Sequence, residues 1–160
     1  MIKYIGILIL SCSLSVYGAI LSDSLKQSHN LKKEITELLR NLERNILYGS
    51  KSCVEIIREC NLPLLTKSGF TDAFSGCDNA ELTISTYLSS LSANDRQMLG
   101  EFFSRLGKSA FCEYELKNLR YYLDYFEKTL EDSEKNVNSK VILYKKIGLI
   151  AGILAAIIFI

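Results

Sequence analysis

CEYELKNLRYYLDYFEKTLEDSEKNVNSKVILYKKIGLIAGILAAIIFI, residues Cys112 to Ile160, places Cys112, Leu116, Leu119, Leu123, Phe126, Leu130, Ser133, Val137, Lys140 and Tyr144 at alternating steps of four and three. Side chains at that spacing share one face of an α-helix and form a heptad seam. With no Pro or Gly from Ser109 to Lys146, the stretch predicts one long helix that runs on into the hydrophobic end of the chain. Leu116, Leu119, Leu123, Phe126 and Leu130 are its expected core seam. The seam weakens at Ser133 and Lys140, inside the polar run 131–140, which reads as a stalk leaving a bundle. Spacing alone also allows a self-associating coiled coil, whereas Tyr121, Tyr122 and Tyr125 widen the apolar face toward bundle packing.

Beyond the stalk, Ile147 to Ile160 carries no charge and follows Val141-Ile142-Leu143-Tyr144 and the pair Lys145-Lys146. Fourteen residues make about 21 Å of helix against a hydrocarbon core of roughly 30 Å. Lysines snorkel, so residues 141–160 are expected to form one transmembrane helix with Lys145 and Lys146 as its collar. At the other end Tyr4 to Leu21 is uncharged, opened by Lys3 and closed by Asp23, and residues 1–22 are expected to form the first span. Lys26, Lys32, Lys33 and Arg40, with Lys135, Lys140, Lys145 and Lys146, lie on the inner side of the two runs against Lys3 outside. By the positive-inside bias the middle of the chain is then cytoplasmic. Gly148, Gly152 and Ala156 in the second run, and Ser11, Ser15 and Ala19 in the first, are small residues at four-residue spacing, which lets helices approach closely in lipid. The alternative is cleavage: Tyr17-Gly18-Ala19 suits a signal peptidase and Ile9-Leu10-Ser11-Cys12 a lipoprotein box, giving an exported or lipid-anchored helical interaction protein.

Residues 23–140 repeat their apolar side chains at three and four, with no alternation that calls for strands. The fold class expected is mainly α, a cytoplasmic helical bundle between two transmembrane helices. Leu31, Ile35, Leu38, Leu39, Leu42 and Ile46 form one stripe, stopped by Gly49. Ser52-x-x-Glu55 is a capping box for a helix carrying Val54, Ile56, Ile57 and Cys60 and ended by Pro63. A short helix is expected within Leu64–Phe74, then a turn at 75–79. Leu82, Ile84, Leu88 and Leu91 mark a further helix starting at Asp78 or Asn79. Ser92 caps another, with Asp95 at its third position and Met98, Leu99, Phe102, Phe103 and Leu106 along it until Gly107.

A net charge of +1 with no basic patch interleaved with aromatics gives no support to nucleic-acid binding. Five cysteines without a CxxC pair cannot form a fully paired disulfide framework and fit a reducing compartment. Cys53 and Cys60, seven apart on one expected helix face, read as small core residues, because positions two turns apart on a helix cannot be bridged. Gly107-Lys108-Ser109 resembles the end of a phosphate-binding loop, but the full pattern needs Gly where Phe102 stands and a preceding strand. Glu113, Glu115, Asp124, Glu127, Glu131, Asp132 and Glu134 alternate with Lys117, Arg120, Lys128 and Lys135 at spacings for pairs within one helix, a solvated face rather than an active site. His29 has no Cys or Asp at metal-ligand spacing and reads as a surface residue. The residues call for no catalysis, cofactor, metal or small-molecule substrate.

Three segments together resemble the stage III sporulation protein AB family of spore-forming bacteria: the opening Met1-Ile2-Lys3 with its span, Leu39–Glu59 (LRNLERNILYGSKSCVEIIRE), and Phe102–Ile160. The most specific part is Leu-Gly-Lys-Ser, a long amphipathic helix and then LYKKIGLIAG. After Ser109, where the family usually has an acidic residue and a glutamine a few positions on, Ala110, Phe111 and Glu115 stand instead. The resemblance implies a mother-cell membrane protein of endospore formation, placed in the membrane around the forespore. It also implies a cytoplasmic bundle similar to the platform proteins of type II secretion and type IV pilus machines. In that role the chain engages a secretion-type ATPase encoded beside it and other proteins of a channel between mother cell and forespore. Self-association stays open.

Overall fold

The computed structural model describes residues 2–48, 51–75, 79–106 and 112–159; within its helices the side chains of 2–5, 7, 8, 10, 11, 53, 75, 112, 156, 158 and 159 are outside the description. Every regular element among the described residues is an α-helix. In chain order these are α1 (Ile2–Tyr48), α2 (Cys53–Glu59), α3 (Pro63–Lys67), α4 (Phe70–Ser75), α5 (Ala80–Tyr87), α6 (Ala93–Arg105) and α7 (Cys112–Phe159).

Local chemistry explains most of the boundaries. Ser52 accepts the Glu55 amide while the Glu55 carboxylate accepts the Ser52 amide, a complete capping box that starts α2. Asn79 caps α5 by accepting from the Leu82 amide, and Ser92 caps α6 by accepting from the Asp95 amide. Pro63 does not end α2, which stops at Glu59; it opens α3 at the first helical position, where a missing N–H costs nothing. Cys60 accordingly sits past the end of α2 with extended backbone, so it does not share a helical face with Cys53. The single helix expected within Leu64–Phe74 is two, because Gly69 adopts φ 81° and breaks the path between α3 and α4. The expected stops at Gly49 and Gly107, the turn at 76–78 and the GKS segment lie outside the described residues.

The chain packs as two compact units, Asn30–Glu131 and Met1–His29 with Asp132–Ile160; α1 and α7 contribute to both. These boundaries follow packing, whereas division of the chain at 22 and 140 follows hydropathy. In Asn30–Glu131 the core gathers Leu31, Ile35, Leu38, Leu39 and Leu42 of α1 with Leu99, Phe102 and Phe103 of α6 and Leu119, Tyr122, Leu123 and Phe126 of α7. Ile57, Leu65, Phe70, Ile84 and Leu88 close it from the short helices. The aromatic rings interlock: Phe102 meets Tyr122 at 5.4 Å and Phe74 meets Phe103 at 4.6 Å between centroids, both tilted. Phe102 and Tyr122 are fully buried, and each contributes about 1.5–3 kcal/mol by leaving water, whereas Phe74 is partly buried.

In the unit built from Met1–His29 and Asp132–Ile160, α1 and α7 approach backbone to backbone. A Cβ on Gly18 would meet the Tyr144 carbonyl oxygen at 2.8 Å and the Gly148 Cα at 2.9 Å. A Cβ on Gly148 would meet the Gly18 Cα at 3.0 Å and the Leu14 carbonyl oxygen at 3.1 Å. Only glycine permits that distance. Farther along, His29 Nδ1 lies 3.1 Å from Ser133 Oγ. Among the described residues no helix is long and apolar enough to cross a membrane.

Candidate interaction surfaces

Asp95 is the polar centre of the Asn30–Glu131 unit. The Ser92 cap turns its carboxylate inward, where it is almost wholly buried. Lys32 Nζ lies 2.9 Å from Oδ2, Ser92 Oγ donates to the same oxygen at 2.6 Å, and Tyr125 OH donates to Oδ1 at 3.1 Å. Asn94 Nδ2 in turn donates to Tyr125 OH at 2.6 Å. Burial pushes the Tyr125 hydroxyl above the usual tyrosine range, and the Asp95 charge adds to it. Three helices, α1, α6 and α7, are thus tied at one carboxylate. Lys32, counted in the sequence among cations flanking a membrane span, is instead a partner in this cluster.

The acidic face of α7 is also used differently from its spacing. Arg120 donates to Glu43 at 2.7 Å and Arg40 to Glu127 at 2.7 Å, so both pairs cross between α1 and α7 rather than running along one helix. Being partly exposed, each contributes up to about 1 kcal/mol. Glu34 accepts from the Leu64 and Leu65 amides at 2.9–3.0 Å, placing a carboxylate over the first turn of α3.

An open cleft of about 540 Å³ lies where α1 ends beside α2. Asn41, Arg44, Asn45 and Tyr48 form one wall at three and four residue spacing, facing Ile56, Glu59, Cys60 and Asn61 with Lys51 between. Asn45 Nδ2 donates to the Lys51 carbonyl at 2.6 Å, and Lys51 pairs with Glu59. That hydrogen bond to Glu59 holds the Lys51 ammonium above the usual lysine range. Asn41 Nδ2 donates to Cys60 Sγ at 3.3 Å, yet burial outweighs this and pushes the Cys60 thiol up. Among the described residues no group of three or more His, Cys, Asp or Glu is placed to hold a metal ion.

Of the residues singled out by spacing, Leu119, Leu123 and Phe126 are in the bundle core, while Leu116 and Leu130 are half-buried at its margins. Lys145 and Lys146 are exposed; Gly148 and Gly152 are buried. The side chains of Lys3 and Ala156 lie outside the description. On α1 the atoms nearest a Cβ at Gly148 belong to Gly18 and Leu14, and Ser22, one turn on, is buried. The model of stage III sporulation protein AB matches residues 65–160, more than half of the chain. The chain belongs to that family. Membership in the stage III sporulation protein AB family implies a role in sporulation. No curated protein and no solved structure matches the chain. The family match spans α7 and most of the bundle core, and the cleft between α1 and α2 precedes it.

Proposed function

We propose that this chain is a non-enzymatic membrane platform component of a secretion-like channel between mother cell and forespore. Its two uncharged terminal runs anchor it in the mother-cell membrane around the forespore, and its helical bundle engages a secretion-type ATPase on the cytoplasmic side. The observation that carries this reading is the Gly18–Gly148 contact, which pairs the two uncharged runs as one hairpin. In lipid there is no hydrophobic drive between helices, so close backbone packing of small residues is what holds such a pair. The outward side chains agree with an apolar surround: Val16, Ile20, Ile147, Leu149, Ile150, Ile153, Leu154 and Ile157 are all more than half exposed. Exposed apolar area on that scale marks a surface meant to be covered. Family membership supplies the sporulation setting, and the exposed Lys145 and Lys146 suit a collar at the interface.

Reconstitution tests the function. The full chain in lipid nanodiscs is expected to bind the purified ATPase encoded beside it and to add no hydrolytic activity of its own. A chain recovered from spore-forming cells with its N-terminus at Cys12 or Ile20 would contradict the reading and support the exported alternative.

A further inference from the structure

We infer that the cleft between the end of α1 and α2 is the docking site for an acidic segment of a partner protein, with Arg44 as its charge anchor and Tyr48 as its apolar anchor. The inference rests on the platform reading for the partner used to test it, but the cleft lies outside the stretch the family model matches. Three observations carry it. First, of the two cations lining the cleft, Lys51 is already paired with Glu59, whereas Arg44 is exposed and has no ion pair among the described residues. Arg44 therefore offers an unused guanidinium whose donors fit a carboxylate in bidentate fashion. Second, Tyr48 follows one turn later on the same wall and is 88% exposed, the most exposed large hydrophobic residue described. Tyr and Arg are among the residue types enriched at the few positions that carry most of the binding energy once a partner desolvates them.

Third, the cleft is already shaped. The Asn45 amide holds the Lys51 backbone, Asn41 holds Cys60, and the Ser52–Glu55 capping box fixes the start of α2, so the two walls are set before a partner arrives. Ile56 is buried in the bundle core at its floor, and Asn61 adds an exposed amide at its rim. The one acid among the lining residues, Glu59, is paired with Lys51, so a carboxylate seated on Arg44 meets no unpaired acid in that lining. A basic segment would instead have to displace Lys51 from Glu59.

The test uses the full chain in nanodiscs and the intact ATPase, with affinity read by interferometry. Arg44→Glu is expected to weaken binding tenfold or more, roughly the loss at an interfacial anchor. Tyr48→Ala weakens it comparably and Arg44→Lys less, while Lys33→Glu, an exposed cation elsewhere on α1, leaves it within about twofold. Binding also weakens as salt rises, and ATPase slows maleimide labelling of Cys60, read by mass spectrometry. Equal urea midpoints for wild type and variants exclude misfolding. Wild-type binding that Arg44→Glu and Tyr48→Ala leave unchanged would overturn the docking site and leave the platform reading standing. Absence of any wild-type binding would overturn both. Variants that change the sedimentation mass of the chain but not its affinity for ATPase would overturn the inference in favour of a second copy as occupant.

Discussion

Removing the Asp95 carboxylate leaves Lys32 inside the bundle with no counter-charge and Tyr125 and Ser92 without their acceptor. Asp95→Ala should therefore cost about 3–5 kcal/mol in urea unfolding of the full chain in detergent, more than the exposed pairs Arg40–Glu127 or Arg120–Glu43 when cut. Combining it with Lys32→Met should recover part of the loss; no recovery would mean that the ion pair is not what the site depends on. Tyr122 and Tyr125 add a pH signature. Burial is the first cause in both of a folded-state value above the ordinary tyrosine range near 10. Their neutral forms are favoured in the fold, so stability is full below that range and is lost as pH rises through the raised values. Tyr125→Phe should flatten the alkaline limb of the unfolding midpoint against pH. Ser52 with Glu55 and Ser92 were legible as caps because the cap and its amide lie three residues apart, and the Asn79 cap settles which of Asp78 and Asn79 starts its helix. Lys32–Asp95 was not, since pairing across the chain leaves no local spacing to read.

Elements follow the same division between local and distant causes. Of the heptad seam of α7, Leu119, Leu123 and Phe126 are buried in the core and Leu116 and Leu130 half-buried, while Tyr122, beside the seam, is fully buried with them. The sequence between Leu64 and Phe74 did not reveal that α3 and α4 are separate, because the positive φ at Gly69 distinguishes two short helices from one. Gly69→Ala should cost about 1–2 kcal/mol, since its Cβ adds left-handed strain and meets the Tyr87 ring at 3.3 Å. A neutral result would place the break at the Ser68 cap instead. For the hairpin of α1 and α7, spacing drew attention to Gly148 in the second run, but Gly18, whose backbone meets it, lies outside the Ser11, Ser15 and Ala19 repeat. A small-residue repeat gives a face only to within the width of a side chain. Gly18→Leu should separate the two helices and lower the thermal midpoint in detergent, while Ser22→Ala should be neutral or stabilising, because its buried hydroxyl has no hydrogen-bond partner among the described residues.

At the scale of the whole molecule, hydropathy and packing divide the chain in different places, and the difference is physical. The uncharged runs are bounded at about Leu21 and Ile147, whereas the packed unit that contains them extends to His29 and begins again at Asp132. The polar run 131–140 is therefore part of an uninterrupted α7 that belongs to the hairpin unit from Asp132 onward. No motif in the sequence marked the cleft beside α2, because it is made of ordinary Asn, Arg, Tyr and Glu residues that meet where the end of α1 lies beside α2. The central claim is that the hairpin is embedded and the bundle faces the cytoplasm. Its most direct measurement is side-specific labelling of a single exposed thiol, Lys128→Cys with the native cysteines changed to alanine, in intact and permeabilised sporulating cells. Labelling by an impermeant maleimide only after permeabilisation is the expected result; labelling from outside intact cells would invert the topology and contradict the account.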